Sequence, residues 1–211
     1  MPSYRTLFHS DLDLLKSHYH RLQPADRSLR FFACVSDTFM DAHGDRIDWQ
    51  HAWLVGCFIE GELRGVSELY FDRSIGSDHA EVSFSVESAW QHDGIGTELL
   101  RRILMIARNR LVHSLSVVCL MENRAMRKLV RKFSNDLHAK DGEINAEIAV
   151  PLPSMLSLFD EACLNSLGWM AAWDRSLHGH DETPPGGLAD QTSRQMENGL
   201  GLIRQREAVI S

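Results

Sequence analysis

Gln91-His92-Asp93-Gly94-Ile95-Gly96-Thr97 decides how the rest of the chain is read. Just upstream, Glu81-Val82-Ser83-Phe84-Ser85-Val86 alternates polar and apolar residues, which predicts a strand. Downstream, from Thr97 to about Arg110, the run carries Ile95, Leu99, Ile103 and Ile106 along one side, which predicts an amphipathic helix. Strand, glycine-bearing turn and helix therefore follow in that order. The first N–H groups of such a helix have no intrahelical acceptor and point at the turn, where the helix dipole favours phosphate oxygens. Gly94 and Gly96 carry no Cβ, so a ligand can approach the backbone closely. A bare G-x-G fits an ordinary strand-to-helix turn equally well, and the surrounding residues must decide.

Working outward, Tyr4 to Phe8 suits a short first strand. Ser10, followed by Asp11 and Asp13, suits a helix start, with Leu12, Leu14, Leu15, Tyr19 and Leu22 as its apolar side. Pro24-Ala25-Asp26 breaks that helix. Further helical stretches are expected over residues 26–32 and 36–42. Residues 52–59 read as a buried strand, Glu60-Gly61-Glu62 as a tight turn, and residues 63–71 as the partner strand. Residues 72–78 form a polar loop. Beyond the glycine turn and its helix come a strand over residues 115–120, a helix over 123–133, and a hairpin turning at Asp141-Gly142. This order predicts an α/β (α+β) domain with a mixed, mainly antiparallel sheet flanked by helices.

The expected organisation is a domain over residues 1–151, a C-terminal helix over 152–178, and a linker and flexible tail over 179–211. The C-terminal helix carries Met155, Leu158, Phe159, Ala162, Leu167 and Met170. It is expected to pack back on the domain, with a partner subunit, and so a homodimer, as the second option.

The 211 residues suffice for one good core, and 44% hydrophobic with 24% charged residues is a globular composition. A net charge of −7 argues against broad nucleic-acid binding. No apolar run approaches the roughly 18 residues of a membrane span, and the N-terminus lacks a signal peptide's apolar core, so a cytoplasmic protein without a membrane role is expected. Cys34, Cys57, Cys119 and Cys163 are widely spaced, which predicts free thiols. His178-Gly179-His180-Asp181 lacks further ligands nearby, and no metal site is expected.

Gln91-His92-Asp93-Gly94-Ile95-Gly96 fits the Q/R-x-x-G-x-G/A signature of the GNAT N-acetyltransferase superfamily, which this chain resembles. The resemblance continues through Leu115-Ser116-Val117-Val118-Cys119-Leu120 and Glu122-Asn123-Arg124-Ala125-Met126-Arg127-Lys128-Leu129. Arg30-Phe31-Phe32 and Val66-Ser67-Glu68-Leu69 are similar to segments in the GNAT domains of bacterial protein-lysine acetyltransferases. The likeness spans about residues 3–150 and is strongest from Ala80 to Leu129. It implies that the turn cradles the pyrophosphate of acetyl-coenzyme A (acetyl-CoA), the co-substrate. It assigns coenzyme contacts to Phe84 and Val86, to Gln91, His92, Asp93, Gly94, Ile95, Gly96 and Thr97, and to Asn123 and Met126.

Acetyl transfer to an amine needs a positioned thioester, removal of a proton from the amine, and a donor for the oxyanion. The resemblance gives the last task to a backbone N–H of the strand before the turn. Ala80-Glu81-Val82 matches the family's alanine-glutamate-apolar segment, which makes Glu81 the candidate base. On its own spacing Glu81 reads first as a solvated strand carboxylate, and the resemblance turns the reading towards the base. Glu68 is the reserve, and His79 a weaker candidate.

Asn123 caps a helix, contacts the coenzyme, or does both. Arg124, Arg127, Lys128, Arg131 and Lys132 form a solvated basic face or meet the coenzyme's 3′-phosphate. The chain departs from the family pattern at two places. Val130 stands where many members carry a tyrosine acid for the thiolate, and Ser134-Asn135 replaces a glycine-phenylalanine pair. Cys119 reads as a small buried apolar residue. The expected function is an N-acetyltransferase for a primary amine, either a protein lysine or N-terminus or a small amine. A non-catalytic acyl-CoA-binding sensor is the alternative.

Overall fold

The computed structural model describes residues 1–72, 78–134 and 136–178. Its sheet is built from β1 (Ser3–Leu7), β2 (Ala52–Ile59), β3 (Glu62–Phe71), β4 (His79–Val86), β5 (Ser114–Leu120), β6 (Leu137–Lys140) and β7 (Glu143–Ala149). The helices are α1 (Leu12–Arg21), α2 (Pro24–Phe31), α3 (Asp37–Asp45), α4 (Ile95–Asn109), α5 (Arg124–Val130) and α6 (Met155–His178). The strand order is β1-β2-β3-β4-β5-β7-β6. Every neighbouring pair is antiparallel except β4 and β5, which run parallel.

Each sheet face carries its own core. On one face Ile95, Leu99, Ile103 and Ile106 of α4 pack against Val55, Leu69, Val82 and Leu115. The four α4 residues are 2% exposed or less, as the helical spacing requires. On the other face Leu15, Tyr19, Leu22 and Met40, from α1, its C-cap and α3, cover Leu54 and Val66. Successive strand residues point to opposite faces, so β4 sends Val82 and Phe84 towards α4 and turns Glu81, Ser83 and Ser85 to the α1 side.

Local chemistry sets several boundaries. Glu60 and Gly61 have φ of 54° and 81°, the left-handed geometry of a two-residue hairpin turn. Ser36 caps α3 by accepting from Phe39 N at 3.2 Å. Pro24 opens α2 at its first turn, where a missing N–H costs nothing, so this helix begins two residues before the expected Asp26. The first helix also departs from expectation. A 3-10 turn over His9–Asp11 precedes α1, and Asp11 is drawn inward. It pairs with Arg5 at 2.7 and 2.9 Å and accepts from Phe8 N at 2.9 Å. Finally, α5 ends at Val130, short of the expected Phe133.

The C-terminal helix packs back as expected, but on its opposite side. Ser157, Glu161, Leu164 and Gly168 are buried, while Met155, Leu158, Phe159, Leu167 and Met170 are exposed. The docking is largely polar. Ser157 Oγ donates to Asn109 Oδ1 at 2.6 Å, Arg110 meets Glu161 at 2.7 Å, and Thr6 Oγ1 donates to Asn165 Oδ1 at 2.7 Å. A Cβ on Gly168 would stand 2.7 Å from Thr6 O, so only glycine allows α6 this close to β1. This contact was invisible in the apolar spacing, which marks the face that stays outside. The expected linker and tail over 179–211, including Gly179-His180-Asp181, lie outside the described residues, as does the middle of the loop after Asp72.

Candidate active site

The two parallel strands at the centre of the sheet do not stay together. Between β4 and β5, pairing is confined to His79 with Ser114, Ala80 with Leu115, and Glu81 with Ser116. Beyond those positions β4 follows β3 as far as Val86, while β5 follows β7 as far as Leu120. A wedge therefore opens from Val82 onward, with the edge of β4 free of a β5 partner. Such an edge can accept an extended amide-bearing ligand as an added strand.

The wedge opens towards the glycine turn. Gly94, at φ 83°, is the left-handed N-cap of α4, and a Cβ there would meet nothing within 4 Å. The first intrahelical bond runs from Glu98 N to Gly94 O at 3.1 Å. The N–H groups of Ile95, Gly96 and Thr97 are thus the open end of a 15-residue helix. His92 also takes a positive φ, 72°, and is exposed with Asp93. Lys132 Nζ reaches Thr97 Oγ1 at 3.0 Å, setting a cation beside this turn. The turn therefore fits a pyrophosphate in space, dipole and charge.

Gln91 holds the turn's entry. Its Nε2 donates to Val86 O at 3.0 Å and to Asp26 Oδ1 at 2.9 Å, tying the end of β4 to α2. Asp26 also accepts from Ser88 Oγ. Asn123 caps α5 through Oδ1, which accepts from Met126 N at 2.9 Å. Along α5, Arg124, Arg127, Lys128 and Arg131 line a cleft of about 310 Å³. Val130 is fully buried in the core on the α4 side and holds no proton to give. Cys119 is buried too, and burial pushes its thiol above the usual range.

On the α1 face of β4, Glu81 is exposed, with Tyr70 and Ser116 as its strand partners. Ser83 follows on that face. Its Oγ is buried and has no hydrogen-bond partner among the described residues. Ser85 comes next, and it leads into a relay that the sequence reading missed. Ser85 Oγ lies 2.9 Å from His18 Nε2, and His18 Nδ1 lies 3.2 Å from Glu87 Oε1. Arg21 and Arg64 each reach Glu87 at 2.8 Å. Burial alone would raise the Glu87 carboxyl, but the donors from His18, Arg21 and Arg64 bring it to about 2. Burial lowers the His18 pKa and outweighs Glu87, whose charge the two guanidiniums already answer.

That imbalance gives a sign for pH. A folded-state histidine pKa below the unfolded one adds stability above about 6.5, and this is lost as pH falls, because the unfolded chain then binds the extra proton. The thermal midpoint is expected to fall as pH drops from about 6.5 to 5. His18→Gln is expected to cost roughly 1–3 kcal/mol at pH 8 and to flatten that slope. A slope unchanged in the variant would remove His18 as its source.

Glu68 is fully buried under α1, α2 and α3, which tells against it as the base. Tyr19 OH donates to it at 2.9 Å, Arg30 at 2.8 Å, Tyr70 OH at 2.6 Å, and His43 Nε2 stands 3.4 Å away. Burial would raise its pKa, but Arg30 foremost, then His43 and Tyr70, hold it far below the usual carboxylate range. A carboxylate so saturated is a poor proton acceptor. It ties three helices to β3 instead. His79 is exposed and lies 3.3 Å from Asp78.

The family model described as Acetyltransferase (GNAT) family matches residues 16–134, more than half of the 211. No curated protein matches the chain. Among solved structures, the GNAT domain of S. lividans PAT is similar at 24% identity and a TM-score of 0.60, over 69% of this chain and 89% of that one. The PaiA N-acetyltransferase from Thermoplasma acidophilum, in complex with coenzyme A, is similar at 14% identity and a TM-score of 0.55, over 71% and 99%. The putative acetyltransferase yncA from Salmonella typhimurium, with its cofactor acetyl-CoA, is similar at 16% and 0.55, over 73% and 96%. At these identities the likeness is one of fold.

Proposed function

Because the chain belongs to the acetyltransferase (GNAT) family and is an N-acetyltransferase of that type, we propose that it moves acetyl from acetyl-CoA to a primary amine across the mouth of the β4–β5 wedge. The observation that carries this reading is the wedge opening onto the bare N-terminus of α4. Acetyl-CoA supplies an activated acyl group on a thiolate leaving group.

The turn residues His92, Asp93, Gly94, Ile95, Gly96 and Thr97, helped by Lys132, hold the pyrophosphate. Gln91 holds the turn in shape. Phe84 and Val86 offer their strand to the pantetheine arm. Asn123 and Met126 border the arm from the start of α5, and the cations of α5 take the 3′-phosphate. Glu81 accepts the proton of the incoming amine, directly or through a water. The freed nitrogen lone pair attacks the carbonyl carbon. A backbone N–H of β4 meets the oxyanion, and the C–S bond breaks as the amide forms. The tetrahedral nitrogen sheds its one extra proton, to solvent or to the departing thiolate, and the product amide keeps its single N–H. Ser83 Oγ, otherwise unpaired, is placed to bond one of the reactants on this face.

The acceptor is a primary amine on a protein lysine, a protein N-terminus or a small molecule. A net charge of −7 favours cationic acceptors by steering. The proposed division is a catalytic domain over residues 1–151 with α6 as an extension. Isothermal titration with acetyl-CoA, followed by turnover on an amine panel with release of free thiol as the readout, tests the proposal. Tight binding with acetylation of at least one amine is expected. Absence of acetyl-CoA binding by the folded chain would overturn it.

A further inference from the structure

We propose that the outward face of α6 is a self-association surface, and that a second copy of this chain covers it. Met155, Phe159, Ala162, Ser166, Met170 and Trp173 recur at steps of four, three, four, four and three, one stripe along a helix. The large members stand in water, with Met155 84%, Phe159 66%, Met170 70% and Trp173 71% exposed. Leu158 and Leu167 flank the stripe and are exposed as well.

The polarity of this helix is inverted relative to an ordinary surface helix. Its domain-facing side is Ser157, Glu161, Asn165 and Gly168 around one buried large apolar residue, Leu164, with the Trp169 ring lying 4.7 Å from Phe8 at the edge of the contact. A solvated helix spends its apolar residues on the core and its polar ones on water. Here polar groups hold α6 in place, which leaves the apolar stripe for a different contact. The eight large apolar residues exposed between Met155 and Trp173 present about 1,000 Å², above the few hundred Å² of an ordinary monomer patch. A stable dimer needs about 800 Å² from each partner, so the face is large enough.

A second copy is the occupant that the chemistry of the stripe favours. The six stripe residues are uncharged, with the exposed acids Asp160 and Asp174 only on the flank, so the stripe itself offers no charge to select a partner of opposite sign. An uncharged, straight stripe on a long helix is complementary to its own copy about a two-fold axis, large aromatic and thioether groups interdigitating with Ala162 and Ser166. The inference does not depend on the coenzyme site.

Sedimentation velocity of the full chain, from about 1 to about 100 µM, reads the outcome directly. The expected species is a dimer of the 24.0 kDa chain. Phe159→Glu is expected to raise its dissociation constant at least tenfold, with thermal unfolding of the protomer little changed because the side chain is exposed. Trp173→Glu serves as the second variant should the first fail to fold. A wild type that stays monomeric throughout, or a dimer that both variants leave intact, overturns the proposal. A monomer in which Trp173→Phe removes a blue-shifted emission would give the face to the chain's own residues 179–211. A monomer with water-exposed emission would give it to an unrelated partner.

Discussion

Glu81→Gln is expected to lower turnover roughly 100-fold or more while leaving acetyl-CoA affinity nearly unchanged. Glutamine keeps the size and much of the hydrogen bonding but accepts no proton. Glu81 sits where the last β4–β5 pair ends, on the same face as Ser83 and Ser85. It is exposed in the free chain. The residual rate of the variant should climb with pH, since the free amine then forms without help. Full turnover in Glu81→Gln on a verified amine would move the base elsewhere. Glu68 would not inherit the role, because its oxygens already serve Tyr19, Arg30 and Tyr70.

Gly96→Glu is expected to weaken acetyl-CoA binding at least tenfold, or about 1.4 kcal/mol, by isothermal titration. Its logic is electrostatic. An added Cβ would meet only Leu129 Cδ2 at 3.4 Å, an ordinary contact. A carboxylate in the first turn of α4 also suits the helix dipole, so the fold should hold. What changes is that a negative charge occupies the place proposed for phosphate oxygens. Gly96→Ala adds the same carbon without the charge and should lose far less. Unchanged affinity in folded Gly96→Glu would remove the turn as the pyrophosphate site. The same test at Gly94 would mix two effects, since φ of 83° strains any side chain there.

Patterns written over a few neighbouring residues were legible in the sequence alone. The strand, glycine turn and amphipathic helix were visible because a period of two, a period near 3.6 and a Cβ-free turn are local properties. So were the hairpin at Glu60-Gly61 and the second at Asp141-Gly142, and the cap at Asn123. The family resemblance rested on that same local stretch, and with it the mixed sheet.

Only the tertiary structure decided which distant groups meet. His18 and Glu87 are 69 residues apart, and Tyr19 and Glu68 are 49 apart, yet each pair shares a hydrogen bond under the α1 helix. No periodicity encodes such partners, because a buried charge is satisfied by whatever donors the packing brings. Asp11 looked like part of a helix start, and Arg5, six residues earlier on β1, drew it inward. The orientation of α6 was likewise settled by Asn109, Arg110 and Thr6, through bonds to its polar side. Apolar spacing told where a stripe lies on that helix. Which side faces the domain depended on shape and polarity supplied by elements far away in the chain.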